Sequence, residues 1–520
     1  MATPVDMGGT PILPATTDPV DVVYGNYYMG HTDLAIPGKG IPLTWTRAYS
    51  AKGGTATLGV PSVMGQKWSH NWQAALTTLD AEKTVLITLP NGAVQSWSKV
   101  SSVYVPPPGI RGTLVKNGGG DWTLTTHGQL VYAFDSSGKW TSITDRNGNV
   151  TSLTYSSGQL TTITEPGGRA LTLTYTSDRI TSVSDGLGRS VGYTYDGNGD
   201  LVTITDVMGN DVDYVYEGHL LVQGTDAKGN VFVRNTYDSK GRVTEQLDAD
   251  DGETTIAYDT PGAGATRIAD QRGKQTTYYF DQQMRITDVM DDNGGVTTKT
   301  YDSKNNVLTV TNPLGETWEY TYDSKGNVLT AEDPLAKVWE YTYNGDNDVL
   351  TVEDPLANVT TYAYDGDGNL TSVTDANSEV TTFTVNGDGL VTEVEDPLTH
   401  ATTFGYDSYG NRTTVTNALS KTWTYAYDTK GRVTSVTDPL SHATTFTYND
   451  ANLVLAATNA LSKTTTYTYD NNGNVLTVTD ANSNVTTTPT TTRTSSRRSP
   501  TPKAAPGTST TMWSGTSPPR

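Results

Sequence analysis

The sequence predicts an all-β chain organised as one long antiparallel sheet of tandem β-hairpins, curling into an open shell behind an all-β N-terminal cap. Three observations carry that prediction. A unit of about 21 residues recurs from residue 130 onward in 17 copies, marked by an aromatic before a turn in all but one, from Phe134 and Tyr155 through Val385 to Tyr448 and Tyr469. Within a unit, Trp318, Tyr320 and Tyr322 alternate with Thr317, Glu319 and Thr321, the period-two pattern of a strand with unlike faces. Hydrophobic residues make up only 35% of the 520, too few for one deep core and suited to a thin, extended sheet. A short-period repeat also overrides the usual inference of several globular domains from length.

The first 17 residues carry no periodic pattern and are expected to be a flexible N-terminus. They lack a basic region followed by an apolar run, so no signal peptide is visible, and no stretch of the chain approaches the ~18 apolar residues of a membrane span. Residues 18–129 do not carry the repeat. Their Gly/Pro punctuation (Pro37-Gly38-Lys39-Gly40 and Pro106-Pro107-Pro108-Gly109) and Trp-rich short strands (Trp45, Trp68, Trp72, Trp97, Trp122) predict an all-β leading module. It is read as an end cap, because the terminal unit of a solenoid must cover an otherwise exposed strand edge.

Residues 130–486 form the repeat array. In the unit around Tyr322, Asp323 to Gly326 reads as a turn, since Asp bonds back to nearby backbone and Gly tolerates positive φ. Val328, Leu329 and Thr330 resume the strand, and Asp333-Pro334-Leu335 reverses it again. Pro334 cannot donate to a ladder and so belongs in the connection between hairpins. The array amounts to about 34 strands; at ~4.8 Å per strand the sheet is ~160 Å wide and ~17–20 Å tall. Rolled into one ring it would be hollow, about 50 Å across and open at both ends, so that sealing it would need stacked turns or added caps.

The tail, residues 487–520, breaks off the repeat in mid-unit and is expected to be disordered. It holds five basic residues and no acidic ones, against a net charge of -21 for the whole chain. Its Thr/Pro/Ser/Arg run is compatible with a shifted reading frame in which Thr codons spell the Tyr/Asp class and the fixed bases of the run also force the Leu/Val class where the next unit needs it. The tail is therefore read as a frameshift product without function, and the chain is expected to be the front part of a longer protein.

The repeat signature recurs as Tyr301-Asp302, Tyr322-Asp323 with Gly326, Tyr364-Asp365 with Gly368, Tyr406-Asp407 with Gly410, Tyr427-Asp428 with Gly431, and Tyr469-Asp470 with Gly473. This unit resembles the YD repeat of Rhs proteins. The leading module is similar to the series that precedes such repeats, in Asp18-Pro19-Val20-Asp21, Gly25-Asn26, Thr32-Asp33-Leu34, Ile36-Pro37-Gly38, Arg47-Ala48-Tyr49 and Trp68-Ser69-His70. The resemblance implies a spiral β-sheet cocoon that encloses a C-terminal polymorphic toxin, and a secreted or cell-surface location. This chain departs from the family in lacking an Asp-Pro-x-Gly autocleavage motif: Asp333-Pro334, Asp354-Pro355, Asp396-Pro397 and Asp438-Pro439 are each followed by Leu and then Ala, Thr or Ser. The expected cargo is not part of the chain.

No enzyme chemistry emerges from the residues. His31, His70, His127, His219, His400 and His442 include no pair at metal-ligand spacing and are read as polar turn residues. The acidic turns Asn344–Asp348 and Asp365–Asn369 lack the EF-hand spacing and its closing Glu, and are read as turn chemistry rather than calcium loops. Tyr-Asp recurs at too many turns for a catalytic role, which needs one constellation, whereas packing needs every copy. The excess of acid repels phosphate backbones, so nucleic acid is excluded as a partner. The absence of cysteine removes disulfides and thiolate metal sites, and no cofactor is implied. Two function classes stay open: a non-catalytic shell segment of a secreted or contact-delivered toxin, and an extracellular scaffold whose Trp and Tyr stripes bind glycans or proteins.

Overall fold

The computed structural model describes residues 19–53, 63–89 and 93–488. The N-terminal segment 1–17 lies outside the described residues, as does the basic tail beyond Thr488. Strands dominate, with a single 3-10 turn at Asp80–Glu82 among the described residues. A small antiparallel sheet comprises Tyr28–Ile36, Leu43–Ser50 and Trp68–His70. The other 41 strands form one antiparallel sheet in chain order, from Ala75–Leu79 to Val485–Thr487. Thirty-four of these, Val131–Phe134 to Val475–Thr479, are the strands of the repeat hairpins expected from the sequence; the six strands of residues 75–126 extend the same sheet backward and Val485–Thr487 begins one further unit.

The sheet is coiled but not closed into a barrel. Ala75–Leu79 pairs with Thr84–Thr88, Val485–Thr487 pairs with Val475–Thr479, and the first and last strands do not pair with each other. The outer side of the first strand is covered by the turn of the first repeat, where Leu76 N–H donates to the Gly138 carbonyl at 2.9 Å. Gly138 sits at φ +85°, and a Cβ there would lie 1.8 Å from the Leu76 carbonyl oxygen, so this approach requires glycine.

Each hairpin follows one plan. Thr317–Tyr322 pairs with Val328–Glu332, which pairs in turn with the next unit's Val338–Tyr343. A bulge between Thr321 and Tyr322 recurs at the same place in the following units, beside Tyr343, Tyr364 and Tyr406. Bulges bend the strand and raise its twist, which curls the ribbon. Aromatics such as Tyr320 fall on one face, half-buried, while Glu319 and Thr321 on the other are exposed. Side chains on the concave face of a curled sheet converge and shield one another, so the aromatic face is the lumenal one.

The sheet does not roll into one ring about 50 Å wide but into a tighter coil that laps over itself, in line with the stacked turns that sealing was expected to need. Loops of the first coil meet the turns that follow the signature tyrosines of the second: Arg111 reaches Asn306 (2.6 Å), Arg146 reaches Asp348 (2.6 Å), Arg189 reaches Asn452 (3.0 Å) and Lys228 reaches Asp470 (3.1 Å). Arg169 also stacks over Tyr409, 4.5 Å from the ring centroid. Counting strands between such partners gives about 19 to 25 per turn, a circumference of ~90–120 Å and a diameter of ~30–38 Å. The physical cause is docking between edges some 200 residues apart, which local periodicity does not record.

Burial divides the coils. Buried hydrophobic side chains run from Val20 to Ile286, and among the described residues none lies beyond Ile286. The first coil has a core because the small sheet packs on its aromatic face. Among the described residues no sheet packs on the second coil in this way.

Candidate functional site

The repeat signature acts through three separate bonds. Tyrosine joins units: the Tyr322 hydroxyl donates to the Val307 carbonyl at 2.8 Å, 15 residues back and opposite the preceding unit's Tyr301. The same bond is made by Tyr301 to Ile286, Tyr364 to Val349, Tyr406 to Val391, Tyr427 to Arg412 and Tyr469 to Val454. Burial raises the pKa of Tyr322, which keeps its hydroxyl protonated as a donor.

Aspartate closes the turn. Asp323 Oδ1 accepts the backbone N–H of Lys325 (2.8 Å) and of Asn327 (2.9 Å), and Oδ2 accepts the Asn327 side-chain amide. Partial burial pushes its pKa up, but these hydrogen bonds outweigh burial and hold the carboxyl below the usual range. Asp302, Asp365, Asp407, Asp428 and Asp470 accept the corresponding pair of N–H groups. Glycine completes the loop: Gly326, Gly368, Gly410, Gly431 and Gly473 all lie at φ between +77° and +84°. Where the fifth turn residue is Arg, its guanidinium bonds the turn aspartate and covers the next unit's tyrosine, as Arg432 does with Asp428 (2.7 Å) and Tyr448 (4.9 Å). That second use of the turn was not read from the sequence, although Arg recurs at Arg242, Arg285 and Arg432.

The small sheet locks onto the first coil through a buried polar cluster. Asp33 accepts Arg47 Nε at 3.0 Å and the Tyr193 hydroxyl at 2.7 Å, while Tyr193 accepts Trp45 Nε1 at 2.8 Å. Arg47 also donates to the Tyr214 hydroxyl, and Trp68 Nε1 donates to that of Tyr216. Burial would push the Asp33 pKa up, but the Arg47 charge and the hydrogen bonds from His31 and Tyr193 bring it below the ordinary value. Charged residues ordinarily read as surface, and nothing in the spacing of Asp33 and Arg47 marks them as a buried pair.

The histidines do not converge. His219, His400 and His442 sit in turns, facing Asp200, Asp396 and Asp438, and His31 faces Asp33. His70 differs from the expected polar turn residue: it ends a strand, is buried and stacks on Trp45 with centroids 4.4 Å apart. Burial pushes its pKa down to about 3. Among the described residues no group of three or more His, Asp or Glu could hold a metal ion, and Asn344–Asp348 and Asp365–Asn369 form the same five-residue turn as the other units.

The largest unclaimed feature is the aromatic face of the second coil. Tyr193 and Tyr214 in the first coil are 4% and 5% exposed beneath the small sheet. At the equivalent position of later units stand Tyr320, Tyr341, Tyr362, Phe383, Phe404, Tyr425, Phe446 and Tyr467, all half-buried, with the Arg412 guanidinium over Phe404 and Tyr425. They recur every second strand, ~10 Å apart. No helix among the described residues is long and apolar enough to cross a membrane.

Comparison with known proteins agrees with this architecture. A domain of unknown function, DUF6531, matches residues 17–97. The Teneurin YD-shell family matches residues 122–245 and 315–484, together more than half of the chain. A search of the curated proteins finds no match. Among solved structures, the complex TcdB2-TccC3-Cdc42 aligns over 88% of this chain and 31% of its own at 11% identity and a TM-score of 0.46. The Tc holotoxin pore of Photorhabdus luminescens aligns over 88% and 30%, with the same identity and TM-score. The chain thus spans about a third of the length of these solved chains. With the repeat, the hairpin plan and the family match in agreement, the chain belongs to the Teneurin YD-shell family, the Rhs/YD-repeat proteins whose signature its sequence carries.

Proposed function

We propose that this chain is the non-catalytic shell segment of an Rhs-type toxin, secreted or contact-delivered, and that its second coil holds a cargo polypeptide against the open aromatic face. The observation that carries the reading is the contrast between coils: the same aromatic position is covered by a packed sheet in the first and left open in the second. A face of regularly spaced Tyr and Phe, each able to contribute apolar area and the tyrosines a hydroxyl, suits an extended or unfolded chain better than a compact ligand. Two stacked coils supply the wall, the leading sheet lies against the first of them, and the Tyr and Asp bonds hold the wall without any reactive group. The leading module serves as the cap of this arrangement.

The test uses the full chain and a fluorescein-labelled, reduced and carboxymethylated small protein as a permanently unfolded probe. Fluorescence anisotropy is expected to show saturable binding that weakens at least tenfold in the Tyr320→Ser, Tyr341→Ser, Tyr362→Ser variant. Binding that ignores these substitutions, or no binding, would refute the cargo reading. Tyr-dependent binding on a glycan array without polypeptide binding would instead favour the extracellular scaffold.

A further inference from the structure

The strands of the second coil sort their charge by face. From Gln275–Phe280 to Val475–Thr479 they hold nine charged residues, seven acids and two bases. Every acid stands at an outward position: Asp288 pairs with Thr298, Glu319 with Glu332, Glu340 with Glu353, Glu393 with Thr403 and Glu395 with Thr382, on the face that carries the exposed Thr321. Both bases face the lumen. Lys299 stands two residues before the signature Tyr301, where other units carry Tyr320 or Phe404. Arg412 pairs with the signature Tyr406, at the position that Leu201 and Val243 fill as buried residues in the first coil.

The Arg412 guanidinium is exposed and lies over two rings, 5.6 Å from the centroid of Phe404 and 5.9 Å from that of Tyr425. Among the described residues no carboxylate or carbonyl reaches it or the Lys299 ammonium, whereas the turn arginine Arg432 is bonded to Asp428 at 2.7 Å. The wall itself needs no base there. Val433 and Val454 fill the position of Arg412, and their carbonyls accept the same tyrosine hydroxyl.

We infer that Lys299 and Arg412 anchor acidic side chains of the cargo, so that the lumen selects an unfolded polypeptide bearing spaced Asp and Glu. The inference rests on the cargo reading and names the chemistry of that same face. A guanidinium seated on aromatic rings keeps its N–H edge for a carboxylate, and the rings exclude water from one side of the contact. The two bases are eleven strands apart, about half of the ~19–25 strands in one turn, and so stand on opposite walls. One ligand reaches both only as a chain. A nucleic acid brings a phosphate at every residue, and two bases in an otherwise uncharged lumenal face offset only two of them. A polypeptide with sparse acids lays its apolar residues on the rings and its carboxylates on the bases. The net charge of -21 does not oppose this, because the strand acids lie on the far face of the sheet and exposed charges are screened beyond ~8–10 Å.

Fluorescence anisotropy of the full chain with three labelled peptides tests the inference. The peptides have equal length and repeat Gly-Leu-Ser-Tyr-X, with X as Glu, Gln or Lys. The Glu peptide should bind about tenfold more tightly than the Gln peptide, the Lys peptide most weakly, and the difference should shrink as salt is raised. Lys299→Tyr with Arg412→Val installs residues that other units carry, and should bring the ratio of Glu to Gln affinity down to about one with an unchanged circular dichroism spectrum. Arg412→Lys keeps the charge and should keep most of the preference. Equal binding of the Glu and Gln peptides by the wild-type chain would overturn this inference and leave the cargo reading standing, whereas no binding of any peptide would sink both. A preference for Glu that survives the double substitution, or an oligothymidylate that binds more tightly than the Glu peptide and is lost in Arg412→Val, would also overturn it.

Discussion

Removing the hydroxyl of Tyr322 isolates the bond between successive units from everything else the repeat does. The Tyr322→Phe change deletes the 2.8 Å bond to the Val307 carbonyl and leaves the ring in place. A net hydrogen bond contributes ~0.5–1.5 kcal/mol, and in a repeat array that loss falls on the coupling between neighbouring units. Local opening of Val307–Thr311 should therefore rise ~2- to 13-fold, read as faster amide hydrogen exchange in that strand. The four-site variant Tyr301→Phe, Tyr322→Phe, Tyr343→Phe, Tyr364→Phe should lose ~2–6 kcal/mol if the bonds act independently. Tyr320→Phe is the control, because its hydroxyl has no protein partner among the described residues and its ring lies on the open face. Equal exchange in Tyr322→Phe and Tyr320→Phe would show that the tyrosine serves only by its ring, and the role given to the signature would fail.

Arg47→Ala should destabilise the leading sheet by ~3–5 kcal/mol, followed by the fluorescence of Trp45 and Trp68, because it strands Asp33 as an uncompensated buried charge; Asp33→Asn in the same chain should recover part of the loss. Stability should fall with acid in two stages. His70 has a folded pKa of about 3, below the unfolded 6.5, so the unfolded state binds the proton first; its contribution is intact above pH 6.5 and declines by ~1.4 kcal/mol per pH unit toward pH 3. The turn aspartates, such as Asp323, are depressed, so their contribution is present above the unfolded carboxylate value and lost as pH falls through the folded one. Denaturant melts of His70→Gln should therefore be flatter than wild type between pH 6.5 and 4. Deleting residues 317–337 should preserve the sheet by circular dichroism while displacing the later turns by one unit against Arg146 and Arg189. Deleting ten residues inverts every later strand and should abolish cooperative melting.

Much of the hairpin was legible because its rules are local. Alternation placed Trp318, Tyr320 and Tyr322 on one face, and Asp323 with Gly326 announced a turn whose bonds are made within five residues. The coil was not legible, since its diameter depends on partners such as Arg146 and Asp348, 202 residues apart. Nor could the pattern tell Tyr193 from Tyr320: both stand two residues before the signature tyrosine, and only the docking of the leading sheet buries one and leaves the other open. The same holds for Asp33, Arg47 and His70, whose burial follows from packing against strands that begin more than 100 residues later.

Zero-length carbodiimide coupling of the native chain tests the stacked coil most directly. Lys39 Nζ lies 2.9 Å from Asp388 Oδ1, and Lys228 Nζ lies 3.1 Å from Asp470 Oδ2, while Lys430 and Asp450 at 2.5 Å belong to neighbouring turns and serve as the positive control. Mixing isotopically labelled with unlabelled protein before coupling separates links within a chain from links between chains. The account predicts Lys39–Asp388 and Lys228–Asp470 links within single chains, alongside the control. Coupling confined to neighbouring turns such as Lys430–Asp450 would contradict a sheet wound twice around one lumen.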